Sequence, residues 1–134
     1  MERVKETVFY KSVLKELSYD FGNVYIFKGF VISELNRGIC FNWEQHGQVI
    51  AQDVTCFLGS KGEDVVYIAN RIHSYAVVPT DWIKFFKNQY NLRDYFIVSH
   101  NWISLINLTF EELFFKRKIK RFLTLKEAVN AIQL

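Results

Sequence analysis

A carboxamide, a guanidinium, an imidazole and two hydroxyls stand within six residues of one another, Asn70-Arg71-Ile72-His73-Ser74-Tyr75, in the middle of the chain. Such a set can hold an anion or a peptide carbonyl, because Arg only donates while the hydroxyls, the carboxamide and the imidazole both donate and accept. The β-forming run Val65-Val66-Tyr67-Ile68-Ala69 leads straight into it, and Pro79-Thr80-Asp81 with the periodic Trp82, Ile83, Phe86 and Tyr90 follows. Strand, loop and helix in that order make a β/α unit, and the loop beyond the carboxyl end of a parallel strand is where such units hold ligands. Asn70, Arg71, His73, Ser74, Tyr75 and Thr80 are therefore the candidate binding residues. The competing reading has Asn70 and Ser74 bonding the loop's own backbone and Arg71 solvated. Arg71→Ala separates the two: a contact residue loses a ligand at unchanged stability, whereas a structural one lowers the melting temperature.

Other constellations carry less chemistry. Thr80 and Asp81 after Pro79 read as helix-capping residues, with phosphorylation of Ser74 or Thr80 the alternative. His46, His73 and His100 lack HxxxH or HExxH spacing and Cys40 and Cys56 form no CxxC pair, so no metal or other cofactor is expected and the cysteines read as reduced, buried thiols. Ser74, His100 and Asp53 would supply a hydrolytic triad in type, but no GxSxG elbow presents the serine. Gly59-Ser60-Lys61-Gly62 has letters of a phosphate loop without its spacing. No catalytic residue is nominated. Lys116-Arg117-Lys118-Ile119-Lys120-Arg121 would attract nucleic acid or anionic lipid, but on a terminal strand the same charges guard a sheet edge, and that reading is preferred.

The elements that must position these residues follow from periodicity. Val8 to Leu35 reads as two strands about a turn at Asp20-Phe21-Gly22-Asn23, the second apolar on both faces as a covered strand would be. Asn42 with Gln45 forms a capping box, and Trp43, Gly47, Ile50, Val54 and Phe57 share one helical face that Gly59 ends. Tyr95 to Val98 is a buried strand. Ile103, Ile106, Phe110, Leu113 and Phe114 keep helical spacing from a start near Trp102, with a break possible at Thr109. Ile119 to Leu123 is the last strand, and Thr124 with Glu127 caps a final amphipathic helix. A hairpin followed by repeated β/α units gives an α/β fold with a mainly parallel sheet and about four helices.

Half of the 134 residues are hydrophobic and 17% aromatic, enough for one core in a single domain spanning residues 1–134. The net charge of +3 is too small to indicate nucleic acid. No apolar run approaches the roughly 18 residues of a bilayer span and no leader is visible, so a cytoplasmic protein is expected.

With Lys120-Arg121-Phe122-Leu123-Thr124-Leu125-Lys126-Glu127-Ala128-Val129 closing it, this order resembles the STAS-like fold of the anti-sigma factor antagonists over nearly the whole chain. Tyr25 to Glu34, Ile68 to Tyr75 and Glu112 to Phe115 also look like a group of small bacterial STAS/SEC14-type proteins. The regulatory members carry an Asp-Ser-Ser-Gly-like phosphorylation motif where this chain has Asn70 to Thr80, so the location of the site carries over and the phosphorylation chemistry does not. The resemblance implies a non-catalytic protein that acts through contact with a protein partner or a second copy. Its SEC14-type branch implies instead a carrier or sensor of a lipid or other apolar small molecule. An exposed polar and apolar patch around Arg71 and Tyr75 would mark the first, a closed apolar cavity of roughly 300 Å³ or more between helices and sheet the second, and converging titratable groups in a cleft an enzyme.

Overall fold

The computed structural model describes residues 1–100 and 104–132. Among them lie eight strands, β1 (Lys15–Tyr19), β2 (Gly22–Phe27), β3 (Phe30–Leu35), β4 (Cys40–Phe41), β5 (Val66–Asn70), β6 (Ala76–Val77), β7 (Asp94–Val98) and β8 (Lys120–Phe122). Four α-helices accompany them, α1 (Gln48–Leu58), α2 (Asp81–Lys87), α3 (Ser104–Phe115) and α4 (Leu125–Asn130). Six strands form one sheet in the order β1-β2-β3-β5-β7-β8. β1, β2 and β3 run antiparallel, and β3, β5, β7 and β8 are parallel. The short β4 and β6 pair in parallel outside the sheet. The α/β class, the hairpin start and the four helices are as the sequence implies.

Alternation along the strands assigns the two faces. Ile32, Val66, Ile68, Phe96 and Val98 point to one, where the amino-terminal segment (Val4, Phe9, Tyr10, Val13) and α4 (Leu125, Ala128) cover them. Val24, Ile26 and Val31 point to the other beneath Ile50 and Val54 of α1. Ala69, Tyr95 and Ile97 lie on that second face with Trp82 and Phe86 of α2 and Phe115 of α3. Three crossover helices thus share one face, as a sheet that grows strand by strand in one direction with crossovers of one hand requires.

Several elements depart from the sequence reading. Residues Val8–Ser12 form a short 3-10 helix instead of a strand, with Phe9 and Tyr10 laid on the sheet. Three strands, not two, fill the rest of the stretch to Leu35, because Lys28-Gly29 turns the chain inside an aromatic run, with Gly29 at φ 85°. α3 continues through Thr109 without a break. The expectations for Trp102 and Ile103 lie outside the described residues. Cys40 and Cys56 are exposed, since β4 stands outside the main sheet and Cys56 falls on the outer side of α1.

The local signals at Asn42, Gly59 and Thr124 hold at their helix ends. Asn42 Oδ1 accepts the Gln45 N–H at 2.9 Å, and Thr124 accepts the Glu127 N–H at 3.1 Å. Gly59 ends α1 in the left-handed region at φ 73°, which carries no Cβ penalty for glycine. Trp43–Gly47 winds as a π-helical turn before α1. β8 is an edge strand, so Lys120 and Arg121 do stand where charges oppose edge pairing. Arg117 of the same cluster is clamped to the loop ahead of β7, donating to the Leu92 and Arg93 carbonyls at 2.6 and 3.1 Å. No helix among the described residues is long and apolar enough to cross a membrane.

Candidate functional site

Arg71 follows the last residue of β5, on the face that α2 and α3 cover. Its guanidinium lies 3.0 Å from the Glu111 carboxylate, with the two side chains 7% and 1% exposed. Glu111 comes from α3, and its other oxygen accepts from the Trp82 indole N–H and the Tyr95 hydroxyl, each at 3.1 Å. The Arg71 guanidinium also stands over the Tyr75 ring, 5.0 Å from its centroid. One carboxylate therefore ties β5, α2, α3 and β7 together. A buried carboxylate is tolerable only when a cation and further donors replace its water, and Glu111 has all three here.

Around this cluster lies an aromatic layer. Tyr67 stacks on Tyr95 at 5.1 Å, and its hydroxyl is 2.8 Å from Ser33 Oγ. Trp82 meets Tyr95 at 5.1 Å and Phe115 edge-on at 4.9 Å. The layer walls a partly open cavity of about 120 Å³, bounded by Ala51 and Val54 of α1, Trp82 and Phe85 of α2, and Val31, Tyr67 and Tyr95 of the sheet. Its surface is overwhelmingly apolar, with Glu111 and Tyr75 among its polar contributors. The flanking π-helical turn is fastened to α2 by the Trp43 N–H, which donates to Asp81 at 2.7 Å, and by an exposed Lys84–Glu44 ion pair.

The electrostatics follow from burial. Desolvation alone would lower the proton affinity of Arg71, but Tyr75, Tyr95 and Glu111 outweigh it and hold the group above its ordinary value. Burial pushes the Tyr67, Tyr75 and Tyr95 hydroxyls above the usual phenol range, with Glu111 adding to the shift at all three. A folded-state value above the unfolded one, near 10, means that the stabilisation is complete below about pH 10 and is lost as pH rises beyond it. The urea midpoint is expected to hold up to that point and fall above it. Phenolate absorbance of these buried tyrosines should then appear together with unfolding, and titration of all seven tyrosines in the folded state would contradict the geometry.

The candidate residues from the sequence are split among separate environments. Arg71 and Tyr75 pack together, and of the two Tyr75 lines the cavity. Asn70 is on the opposite face, fully buried, donating to Glu34 at 2.9 Å and to the Glu2 carbonyl at 3.1 Å. His73 stands at the surface between Arg3 and Arg37. Ser74 is exposed and uses its carbonyl to accept the Gly38 N–H at 2.9 Å. Thr80 is exposed in helical conformation (φ −66°, ψ −15°), so its hydroxyl caps nothing, and Asp81 spends its carboxylate on Trp43 instead. Arg71 is not solvated, because Glu111 supplies a buried partner that charge and turn propensity do not reveal. The triad in type is not one in space: Asp53 accepts from Tyr19 at 2.6 Å and His100 faces the Leu123 carbonyl at 2.7 Å.

Sequence reading missed Glu111, Ala51, Val54 and Tyr95 as cavity residues. A signal for Glu111 exists: it lies three residues after Leu108 and four before Phe115, on the apolar stripe of α3, where a carboxylate must have a buried partner. Comparison with protein-family models, with curated proteins and with solved structures gave no match.

Proposed function

We propose that this chain is a non-catalytic binding protein that receives a small apolar molecule in the cavity between α1, α2 and the sheet, as the SEC14-type branch of the STAS-like resemblance implies. The observation that carries this reading is the apolar cavity of about 120 Å³, lined by aromatic rings with Glu111 among its few polar residues. An apolar cavity of about 150 Å³ stays dry and takes up benzene, so a single ring or a short branched chain is the scale of ligand that fits. At about 120 Å³ and partly open, the cavity falls short of the closed space of roughly 300 Å³ or more expected of a lipid carrier, so a whole lipid would need the walls to part. The rigid Glu111 cluster gives the ligand a fixed polar end to meet, with Tyr75 beside it.

A protein-contact role in regulation, as the anti-sigma factor antagonist branch implies, is the second reading. It is favoured by the outer side of α3, where Phe110 and Leu113 are 52% and 65% exposed. A cytoplasmic location suits both readings. Native and denaturing mass spectrometry on protein isolated from its own cells separates them. The cavity reading expects a non-covalent small mass that denaturation releases. Bare protein, or protein held to a second polypeptide, would overturn it, and a covalent phosphate on Ser74 or Thr80 would favour the regulatory role.

A further inference from the structure

We propose that the ring taken up in the cavity bears an acidic tail and that Lys61 at the cavity mouth selects it, an assignment that rests on the cavity reading above and names the chemistry of its ligand. The place of the mouth follows from exposure. Of the residues lining the cavity, Lys61 and Asn91 are exposed, while the rest are buried or half-buried. The first lies in the loop after α1 and the second in the loop after α2. The two loops are fastened together at this point. The Asn91 N–H donates to the Lys61 carbonyl at 2.9 Å, and Gly62 lies so close that a Cβ there would come within 2.2 Å of the Asn91 carbonyl oxygen. Lys61 and Thr55 of the cavity wall also border a shallow depression on the outer surface, together with Gln52, Ser60 and Tyr90.

Charge is balanced inside the cavity and positive at its mouth. Asp81 and Glu111 are the carboxylates of the wall, and each already has a cation, Lys84 at 3.4 Å from the first and Arg71 at 3.0 Å from the second. A cationic tail would therefore find both acids taken. Lys61 pairs with no carboxylate among the described residues, and its ammonium stands over the Tyr90 ring, 5.2 Å from the centroid, on the side of the depression. Arg117 brings a second positive charge to the same rim, with Nη2 3.3 Å from Asn91 Oδ1 and no carboxylate partner among the described residues. It donates to the Leu92 and Arg93 carbonyls, so it adds to the field while Lys61 supplies the contact. With the ring on the apolar wall and the tail leaving past Lys61, the ligand's charge stays in water and the cost of burying an anion does not arise. α1 ends at this rim, and the partial negative charge of its last carbonyls favours a carboxylate with one charge over a phosphate dianion.

The test is a titration of the full chain with three probes that share one ring, indole, indolepropionate and tryptamine, followed at the Val54 methyls on the cavity wall. At low salt indolepropionate should bind about fivefold more tightly than indole, the upper range for an exposed ion pair, and tryptamine more weakly than indole. The preference for the acid should shrink as sodium chloride is added, because the contact is screened. Lys61→Gln, at an exposed position, should bring the ratio of the two affinities to about one, and Lys61→Arg should keep it. Equal affinities for indole and indolepropionate in the wild type, or a preference for the acid that survives Lys61→Gln, would overturn the assignment of the acidic tail while uptake of indole still upholds the cavity reading. No saturable shift with any of the three probes would overturn both.

Discussion

Glu111→Ala is expected to lower the unfolding free energy by about 3–5 kcal/mol, the cost of leaving a buried guanidinium without its carboxylate. That is a large part of the ~5–15 kcal/mol by which a domain is ordinarily stable, so the variant should unfold at much lower urea or not accumulate at all. Loss of the acceptor for the Trp82 indole N–H and the Tyr95 hydroxyl adds to the damage, since both donate to Glu111 within the apolar layer. Arg71→Ala should be costly for the mirror-image reason, leaving a carboxylate that is 1% exposed. The double variant should then lose less than the sum of the two single losses, because each single change strands a charge that the other removes. Additive losses in urea unfolding would show that the pair is not coupled. A stable Arg71→Ala protein would return this residue to the role of a surface contact.

The second large effect concerns the cavity. Ala51 of α1 is a small side chain on the cavity wall, and Ala51→Leu adds three carbons on the side where the space lies. In a well-packed core such an insertion costs about 1–3 kcal/mol, but here it enters an existing void and should leave the fold as stable as before or more so. The same change should abolish uptake of ring-sized apolar molecules. A ligand at about one hundred times its Kd stabilises the folded state by about 2.7 kcal/mol, so the wild-type melting temperature should rise on addition of indole while that of Ala51→Leu stays where it is. Equal rises in both proteins would place indole elsewhere on the molecule.

Much of the fold was legible because its signals are local. Asn42, Thr124 and Gly59 mark helix ends through backbone groups within a few residues of themselves, and Val66–Asn70 and Asp94–Val98 are covered strands that declare themselves by apolar runs. The turn at Gly29 was hidden because aromatic residues on either side, Phe27 and Phe30, keep the strand character continuous through it. Val8–Ser12 has a strand's composition, yet its rings serve to cover the sheet face. The candidate site was legible by half. The loop after β5 was found because a polar run interrupts an apolar one, but its sorting into buried and exposed members depends on residues far along the chain. Arg71 is buried by Glu111, forty positions later, and His73 is flanked by Arg3, seventy positions earlier. No pattern within the loop distinguishes those fates.

Uptake of a small apolar molecule in the space between α1, α2 and the sheet is what we propose. The measurement that tests it most directly is a titration of methyl-labelled protein with indole, reading methyl chemical shifts and ligand-to-methyl nuclear Overhauser effects. Saturable shifts at Val31 and Val54 are expected, with direct contacts from the ring to both, and their loss in Ala51→Leu. Saturable binding with contacts elsewhere, or no saturable shifts at these two valines, would contradict it.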